Sequence, residues 1–272
     1  MLDLKGKKGL IIGIANDKSI AWGCAKVMTS FGAQLAITYL NKGKNKEYVE
    51  PLAKEVNPKI FCPLDLKDDK ELDAVFAEIR KTWGSLDFII HSVAHAERED
   101  LHGRVIDSSE EGFLEAMNVS CYTFIKLAKY AEELMKNGGS MITMSYYGSQ
   151  KIIKNYGIMG PAKAALESSV KYMAEEVGKR GIRVNAISPG PVPTRAASGL
   201  LHFETLLHHC MEKSLLLDYI NIIDIGNFAA FLVSDLSKTI TGGLHYIDCG
   251  YNAVGYLPEI ESTQNIKNTL ND

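Results

Sequence analysis

No apolar run in the chain approaches the roughly 18 residues that a membrane helix needs, so no membrane span is expected. An excess of one charge is also missing. Thirty basic residues face 33 acidic ones, a net charge of -3, which argues against a general nucleic-acid binder. Cysteine is sparse. Cys24, Cys62, Cys121, Cys210 and Cys249 stand too far apart for a thiol or metal motif, and scattered buried thiols are the expectation. The pair His208 and His209 has no neighbours at ligand spacing, so no metal is expected. No stretch rich in Pro, Gly or Ser and no internal repeat divides the chain. One domain is therefore the economical reading. The start, MLDLKGKKGLIIG, is charged and then briefly apolar, with no cleavage site following. A cytoplasmic protein is expected.

What is present is a core and a rhythm. Hydrophobic residues make up 46% of the 272, enough for a sizeable interior and too much for a disordered chain. Short β-rich apolar runs occur at 9–15, 34–40, 59–65, 86–94, 140–146, 182–188 and 244–248. They read as parallel strands covered on both faces. Helical patterns fill the gaps near 19–31, 45–56, 69–83, 109–136, 157–179, 199–215 and 224–235. Such alternation predicts an α/β fold: a Rossmann-like, doubly wound parallel sheet of about seven strands with helices on both faces.

In such sheets ligands gather at the carboxyl ends of the strands. The first turn, Gly13 to Gly23, follows a strand and opens a helix. Its glycine permits close approach of a pyrophosphate, the helix terminus offers free amides, and Ser19 stands where a cap or phosphate-binding hydroxyl is useful. Six residues stand between Gly13 and Ile20, so this is not G-x-G-x-x-G, and a plain strand–helix turn reads equally well. The second strand ends at Leu40, with neither the acid that holds a ribose 2′-hydroxyl nor an arginine for a 2′-phosphate. NADH is favoured over NADPH. Lys42, Lys44 and Lys46 read as the solvated start of a helix. Asp65, at the end of the third strand, suits either an adenine amino group or the cap of the helix beginning near Asp68. His91 and His95, near the end of the fourth, read as structural residues before they read as acid/base groups. Pro189 to Thr194 fix an extended turn in which the Val192 backbone can face a nicotinamide carboxamide and Thr194 a pyrophosphate. Beyond it, 195–217 carries Leu200, Leu201, Phe203, Leu206, Leu207 and Met211 at helical spacing, as a lid over a greasy substrate or an ordinary core helix would.

The chemistry centres on Tyr156 and Lys163. If the stretch after Tyr156 is helical, seven residues advance about 700°, so both side chains share one face about 10 Å apart along the axis. An ammonium there can hold a sugar hydroxyl while a phenol stabilises an oxyanion. A surface Tyr and Lys on an amphipathic helix is the plain alternative. Tyr146 lies ten residues before Tyr156, and a loop can bring both phenols to one pocket, or Tyr146 and Tyr147 can simply pack on the next helix.

These pieces together carry a resemblance. Tyr156-x-x-Met-Gly-x-Ala-Lys163, the Gly13-x5-Ser19-Ile20-x2-Gly23 loop and Arg183-Val-Asn-Ala-Ile-Ser-x-Gly-Pro191 resemble the divergent short-chain dehydrogenase/reductases. From Leu4 to about Gly255, with Ile225-Gly226-Asn227 and His245-Tyr-Ile-Asp248-x-Gly250, the chain looks like the bacterial NADH-dependent enoyl-acyl carrier protein reductases. The resemblance implies hydride transfer from NADH to the β-carbon of a trans-2-enoyl thioester. It implies Tyr156 on the thioester oxygen, Lys163 on the nicotinamide ribose and Tyr146 assisting. Carried over by position, cofactor contacts fall on Gly13, Ser19, Ile20, Leu40, Asp65, Leu66, Val93, Lys163, Val192, Pro193, Thr194, Arg195 and Ala196, and Ala96 lies at the substrate. An enoyl-acyl carrier protein partner and a homotetramer follow from the same likeness. So does a division into a reductase domain over 1–258, with the lid near 195–217, and a polar tail over 259–272.

The sequence departs from that family at several points. Leu40 stands for a glutamine, Pro189 for an alanine, Arg195 for a leucine and Pro161 for a leucine. Pro161 is tolerated if it falls in a first helical turn. Where the resemblance implies basic lid residues that dock an acidic carrier, this chain has Leu201, Glu204 and Thr205, so either Lys151, Lys154 or Lys213 serves instead or carrier binding is weaker. Two rivals to the reductase reading are a carbonyl reductase or alcohol dehydrogenase and a non-catalytic nucleotide sensor. Met159, four before Lys163 where other members of the superfamily carry tyrosine, argues against the first. The retained Tyr and Lys argue against the second.

Overall fold

A computed structural model describes residues 2–255. Residues 256–258 of the expected domain and the whole expected tail lie outside the described residues. Seven strands form one sheet: β1 Lys8–Ile12, β2 Gln34–Tyr39, β3 Ile60–Pro63, β4 Phe88–His91, β5 Gly139–Met144, β6 Ile182–Pro189 and β7 Leu244–Ile247. Their order is β3-β2-β1-β4-β5-β6-β7, and every pair is parallel. The order reverses between β1 and β4, and a crevice opens at their carboxyl ends.

The interior explains the apolar runs. Alternate strand residues feed opposite faces. Leu10 and Ile12 join one cluster and Ile11 the other, all nearly inaccessible to solvent. The first cluster packs under α3 Asp69–Thr82, α6 Thr123–Glu132 and α7 Met159–Gly178. The second packs under α1 Ile20–Ser30, α2 Asn45–Val56 and α9 Ile222–Val233. Each fully buried Leu or Ile contributes roughly 1.5–3 kcal/mol. The remaining helices, α4 Arg98–His102, α5 Glu110–Met117 and α8 Phe203–Lys213, lie around the crevice and beside α6.

Three local differences from the sequence reading have physical causes. The single helix expected over 109–136 is α5 and α6 joined by a π-helical turn, Asn118–Tyr122. The wider turn directs Ser120 and Thr123 inward. Ser120 bonds the His95 backbone at both N–H and C=O, and the Thr123 hydroxyl donates to the Val119 carbonyl and meets the His91 ring. The short helix α4 was not foreseen, because its five residues Arg-Glu-Asp-Leu-His show no apolar period. Finally, α7 begins at Met159, three residues after Tyr156. Asn155 (φ 64°) and Gly157 (φ 44°) hold left-handed backbone on either side of Tyr156 and prevent helix there. Pro161 falls in the first turn of α7, where its missing N–H would have no partner anyway.

Candidate active site

A cavity of about 340 Å³ lies over the carboxyl ends of β1, β4, β5 and β6. The β1–α1 turn forms one wall. Gly13 holds φ +109°, and a Cβ there would stand 2.1 Å from the Ser92 carbonyl oxygen, so only glycine lets the two strand ends come together. The Ser19 hydroxyl accepts from the amides of Ala15 and Asn16 and thus shapes the turn rather than capping α1. Gly13, Ser19 and Ile20 all line the cavity, as do Val93 and Ala96 beyond β4.

Tyr156, Tyr146 and Lys163 meet on the opposite wall. The turn carrying Tyr156 and the helix carrying Lys163 are distinct elements, so the one-face geometry of a continuous helix is replaced by convergence from two. The rings of Tyr146 and Tyr156 stand edge to face with centroids 4.9 Å apart. Burial raises the pKa of both phenols, so each is a proton-bearing donor at neutral pH. Lys163 donates to the Met144 carbonyl at 2.7 Å. It is only 4% exposed, and burial lowers its pKa to about 8. Leu101, Met159 and Tyr156 form a small apolar cluster of their own, with Ala96 and Leu200 packed against it. That gives the cavity a greasy lobe beside its phenols.

The β6 turn closes the cleft. Val192 is buried and lines it, with Thr194, Arg195 and Ala196. The Thr194 hydroxyl accepts from the Ala197 amide, and the Arg195 guanidinium donates to the Asn45 side chain at 3.0 Å, reaching the start of α2. Pro193 points away and is exposed. Of the segment 195–217, Leu200, Phe203 and Leu206 line the cavity. The segment is fastened by His102 on the Gly199 carbonyl (2.7 Å) and by Asn155 on the Leu201 carbonyl (3.3 Å). Its Leu200 packs against the greasy lobe.

Other residues singled out in the sequence stand elsewhere. Leu40 is 41% exposed at the end of β2 and does not line the cavity. Asp65 accepts from the Lys67 amide, while Asp68 itself caps α3 through the amides of Lys70 and Glu71. Leu66 is buried in the core beneath α3. His91 is fully buried between the hydroxyls of Thr143 and Thr123. Burial, with the Lys163 ammonium adding to it, depresses its pKa to about 3, so it is neutral and structural. His95 is the exception: it is exposed beside Glu97 and lines the cavity after β4. Tyr147 packs edge-on against Tyr246 on β7 and against Tyr251 just beyond it. Among the lining groups that escaped sequence reasoning are Arg98 and Leu101, on the unforeseen α4, and Ser145, whose hydroxyl meets Glu167. Only the position of Ser145 at a strand end could have signalled it.

A dinucleotide fits this site on the chain's own features. The glycine-only β1 turn, the free end of α1 and the small residues after β4 leave backbone accessible along the crevice. Comparison with known proteins agrees. The family described as Enoyl-(Acyl carrier protein) reductase matches residues 13–252. An NADH enoyl-acyl-carrier-protein reductase of Rickettsia typhi is 46% identical over 252 residues, covering 93% of this chain and 96% of the relative. One from Synechocystis is 43% identical over 257 residues, covering 94% and 100%. Among solved structures, the enoyl-acyl-carrier-protein reductase of Anaplasma phagocytophilum in complex with NAD superposes with a TM-score of 0.89. It is 47% identical, with 93% of this chain and 96% of that one covered.

Proposed function

The chain belongs to the enoyl-(acyl carrier protein) reductase family, and on that premise we propose how its own residues perform the reaction. It is an NADH-dependent oxidoreductase that reduces the trans-2 double bond of an enoyl thioester, the last step of the fatty-acid elongation cycle. Bound NADH supplies the hydride. Gly13, Ser19, Ile20, Val93 and the turn from Val192 to Ala196 would hold the cofactor, with Leu40, Asp65 and Leu66 toward its adenosine end. Lys163 keeps one N–H on Met144 and has two left for the nicotinamide ribose. Tyr156 donates to the thioester oxygen as negative charge develops there, from a phenol that is already buried and held in place. Tyr146 supports that phenol edge-on. Ala96 and the Leu101–Met159 surface receive the first carbons of the acyl chain.

The observation that carries this reading is the convergence of a buried, protonated phenol and a buried amine on a cavity with an apolar lobe. A carbonyl reductase is disfavoured by Met159, which lines the cavity four residues before Lys163 and has no proton to give. The direct test follows reduced-nicotinamide absorbance with trans-2-enoyl thioesters, comparing NADH with NADPH and wild type with Tyr156→Phe. Turnover with NADH that collapses in the variant supports both reaction and role. Turnover that survives moves the oxyanion contact to Tyr146, and no turnover with either cofactor sends the enzyme to a panel of ketones.

Two further assignments belong to this proposal. Leu201, Glu204 and Thr205 are exposed on and before α8 and offer an acidic carrier no positive charge, whereas exposed Lys151, Lys154 and Lys213 do. A homotetramer is supported by the exposed Leu114 (58%) and Tyr122 (55%) on α5 and the π turn, and by Tyr172 (72%) on α7, an apolar surface of the kind subunits cover. Among the described residues no helix is long and apolar enough to cross a membrane, and a cytoplasmic location is part of the same proposal.

A further inference from the structure

Glu167 is the best-connected polar group beside the cavity that the mechanism does not use. It lies on α7 four residues after Lys163, so the two share a face of the helix. Its carboxylate accepts from the Ser145 hydroxyl, from the Ser149 hydroxyl at 2.5 Å and from the Gln150 amide at 3.4 Å. All three donors sit on the turn that carries Tyr146. Bonds from the Ser149 and Gln150 amides to the carbonyls of Tyr146 and Tyr147, each 3.0 Å, give that turn its shape, but they do not attach it to α7. The turn also touches both phenols. A Cβ on Gly148 would stand 2.4 Å from the Tyr156 ring and 3.3 Å from that of Tyr146. Any movement of the turn is therefore passed to both rings.

We propose that Glu167 is a positioning residue for the reduction: its carboxylate fastens the turn 145–150 to α7 and so holds the Tyr146 phenol against that of Tyr156. The role rests on the reaction assigned above. Lys163 and Glu167 grip adjacent residues, the Met144 carbonyl and the Ser145 side chain. The end of β5 is thus fixed at two successive points by one helix. The charge of Glu167 also reaches the groups around it. It favours the ammonium of Lys163 on its own helix and disfavours the phenolates of Tyr156 before α7 and Tyr246 on β7. Behind Lys163 stand the neutral His91 on β4 and the Cys121 thiol in the π turn.

The test compares wild type, Glu167→Gln and Ser149→Ala by kcat, KM for a trans-2-enoyl thioester, NADH affinity from nucleotide fluorescence, and the pH profile of kcat. Wild-type turnover comes first, and its absence would count against the reaction, not against this role. Glu167→Gln is expected to lower kcat about tenfold with NADH affinity within about twofold, and to move the alkaline limb of the profile to lower pH, because Lys163 loses the anion that favours its charged form. Ser149→Ala is expected to lower kcat about threefold, and the double variant to be no worse than Glu167→Gln alone. A Glu167→Gln enzyme with wild-type kcat and pH profile, or one impaired only in NADH affinity, overturns the proposal. Should that variant lose its melting transition, Ser145→Ala and Ser149→Ala decide: reduced kcat in both supports the role, and unchanged kcat in both sinks it.

Discussion

The Lys163 ammonium reaches the carbonyl of Met144 at 2.7 Å from inside the protein, with 4% of the side chain exposed. A cation so placed is held against its preference for water, and burial brings its pKa from 10.5 down to about 8. Hydride transfer that relies on the ammonium should therefore weaken as pH rises through about 8. A kcat/KM profile that stays flat from pH 7 to 9.5 would remove the ammonium from the mechanism.

The same depression has a cost in stability. Between pH 8 and 10.5 the unfolded chain binds a proton at Lys163 that the folded chain has released, so stability from this group rises with pH. At pH 7 the penalty is about 3 kcal/mol, from the two pKa values. Lys163→Met is expected to raise the melting temperature at pH 7 while abolishing turnover, and the gain should shrink toward pH 10. A variant less stable than wild type at every pH would refute this.

His91 gives the opposite limb. Its folded pKa of about 3 lies below the unfolded 6.5, so the unfolded chain takes up a proton that the folded one refuses as pH falls through that window. Stability should drop by about 2 kcal/mol between pH 7 and 5 on this account. In His91→Gln the urea midpoint at pH 7 should fall, through loss of the Thr143 and Thr123 bonds, but its further decline to pH 5 should be shallower than wild type. An equal decline would assign the acid limb to other groups.

Tyr156→Phe removes one donor and little volume. The melting temperature is expected to stay within about 2 °C, while kcat falls on the order of 10²–10³-fold, as when a single oxyanion donor is lost. A loss below about threefold would show that the phenol does not meet the developing charge.

Gly148→Ala tests the closeness of the turn to the two phenols. The added methyl would lie 2.4 Å from the Tyr156 ring, and relieving that overlap costs about 1–3 kcal/mol or displaces the ring. Activity should fall more than stability. Wild-type kcat in this variant would mean that the ring positions tolerate the shift.

Much of this was readable from residue order because strands and helices are local patterns. All seven strands fall within their expected runs to within a few residues, since each run is apolar on both faces. The convergence of Tyr146, Tyr156 and Lys163 was legible as spacing, yet its geometry was not. Left-handed Asn155 and Gly157 start α7 late, and backbone of that hand leaves no apolar period to detect. The π turn was hidden for a related reason. One extra residue in a helix hardly disturbs its pattern, and its effect is visible only in where Ser120 and Thr123 point. Long-range polar partners such as Glu167 with Ser145 are 22 residues apart, and nothing in either neighbourhood announces the other.

The strand order β3-β2-β1-β4-β5-β6-β7 also governs how the molecule comes into being. The first strand made is an inner one, and it gains its second neighbour only when β4 appears. As the chain leaves the ribosome, β1, β2 and β3 can pair while one long edge of β1 still waits, open to mispairing with any extended segment nearby. The turn after β6 comes near residue 190, so a nascent or truncated chain that stops before it can own most of the sheet and still lack one wall of the nucleotide cleft. Affinity for a dinucleotide would then arise abruptly late in synthesis, and the cofactor, once present, would act as a clamp that favours the completed register over its competitors.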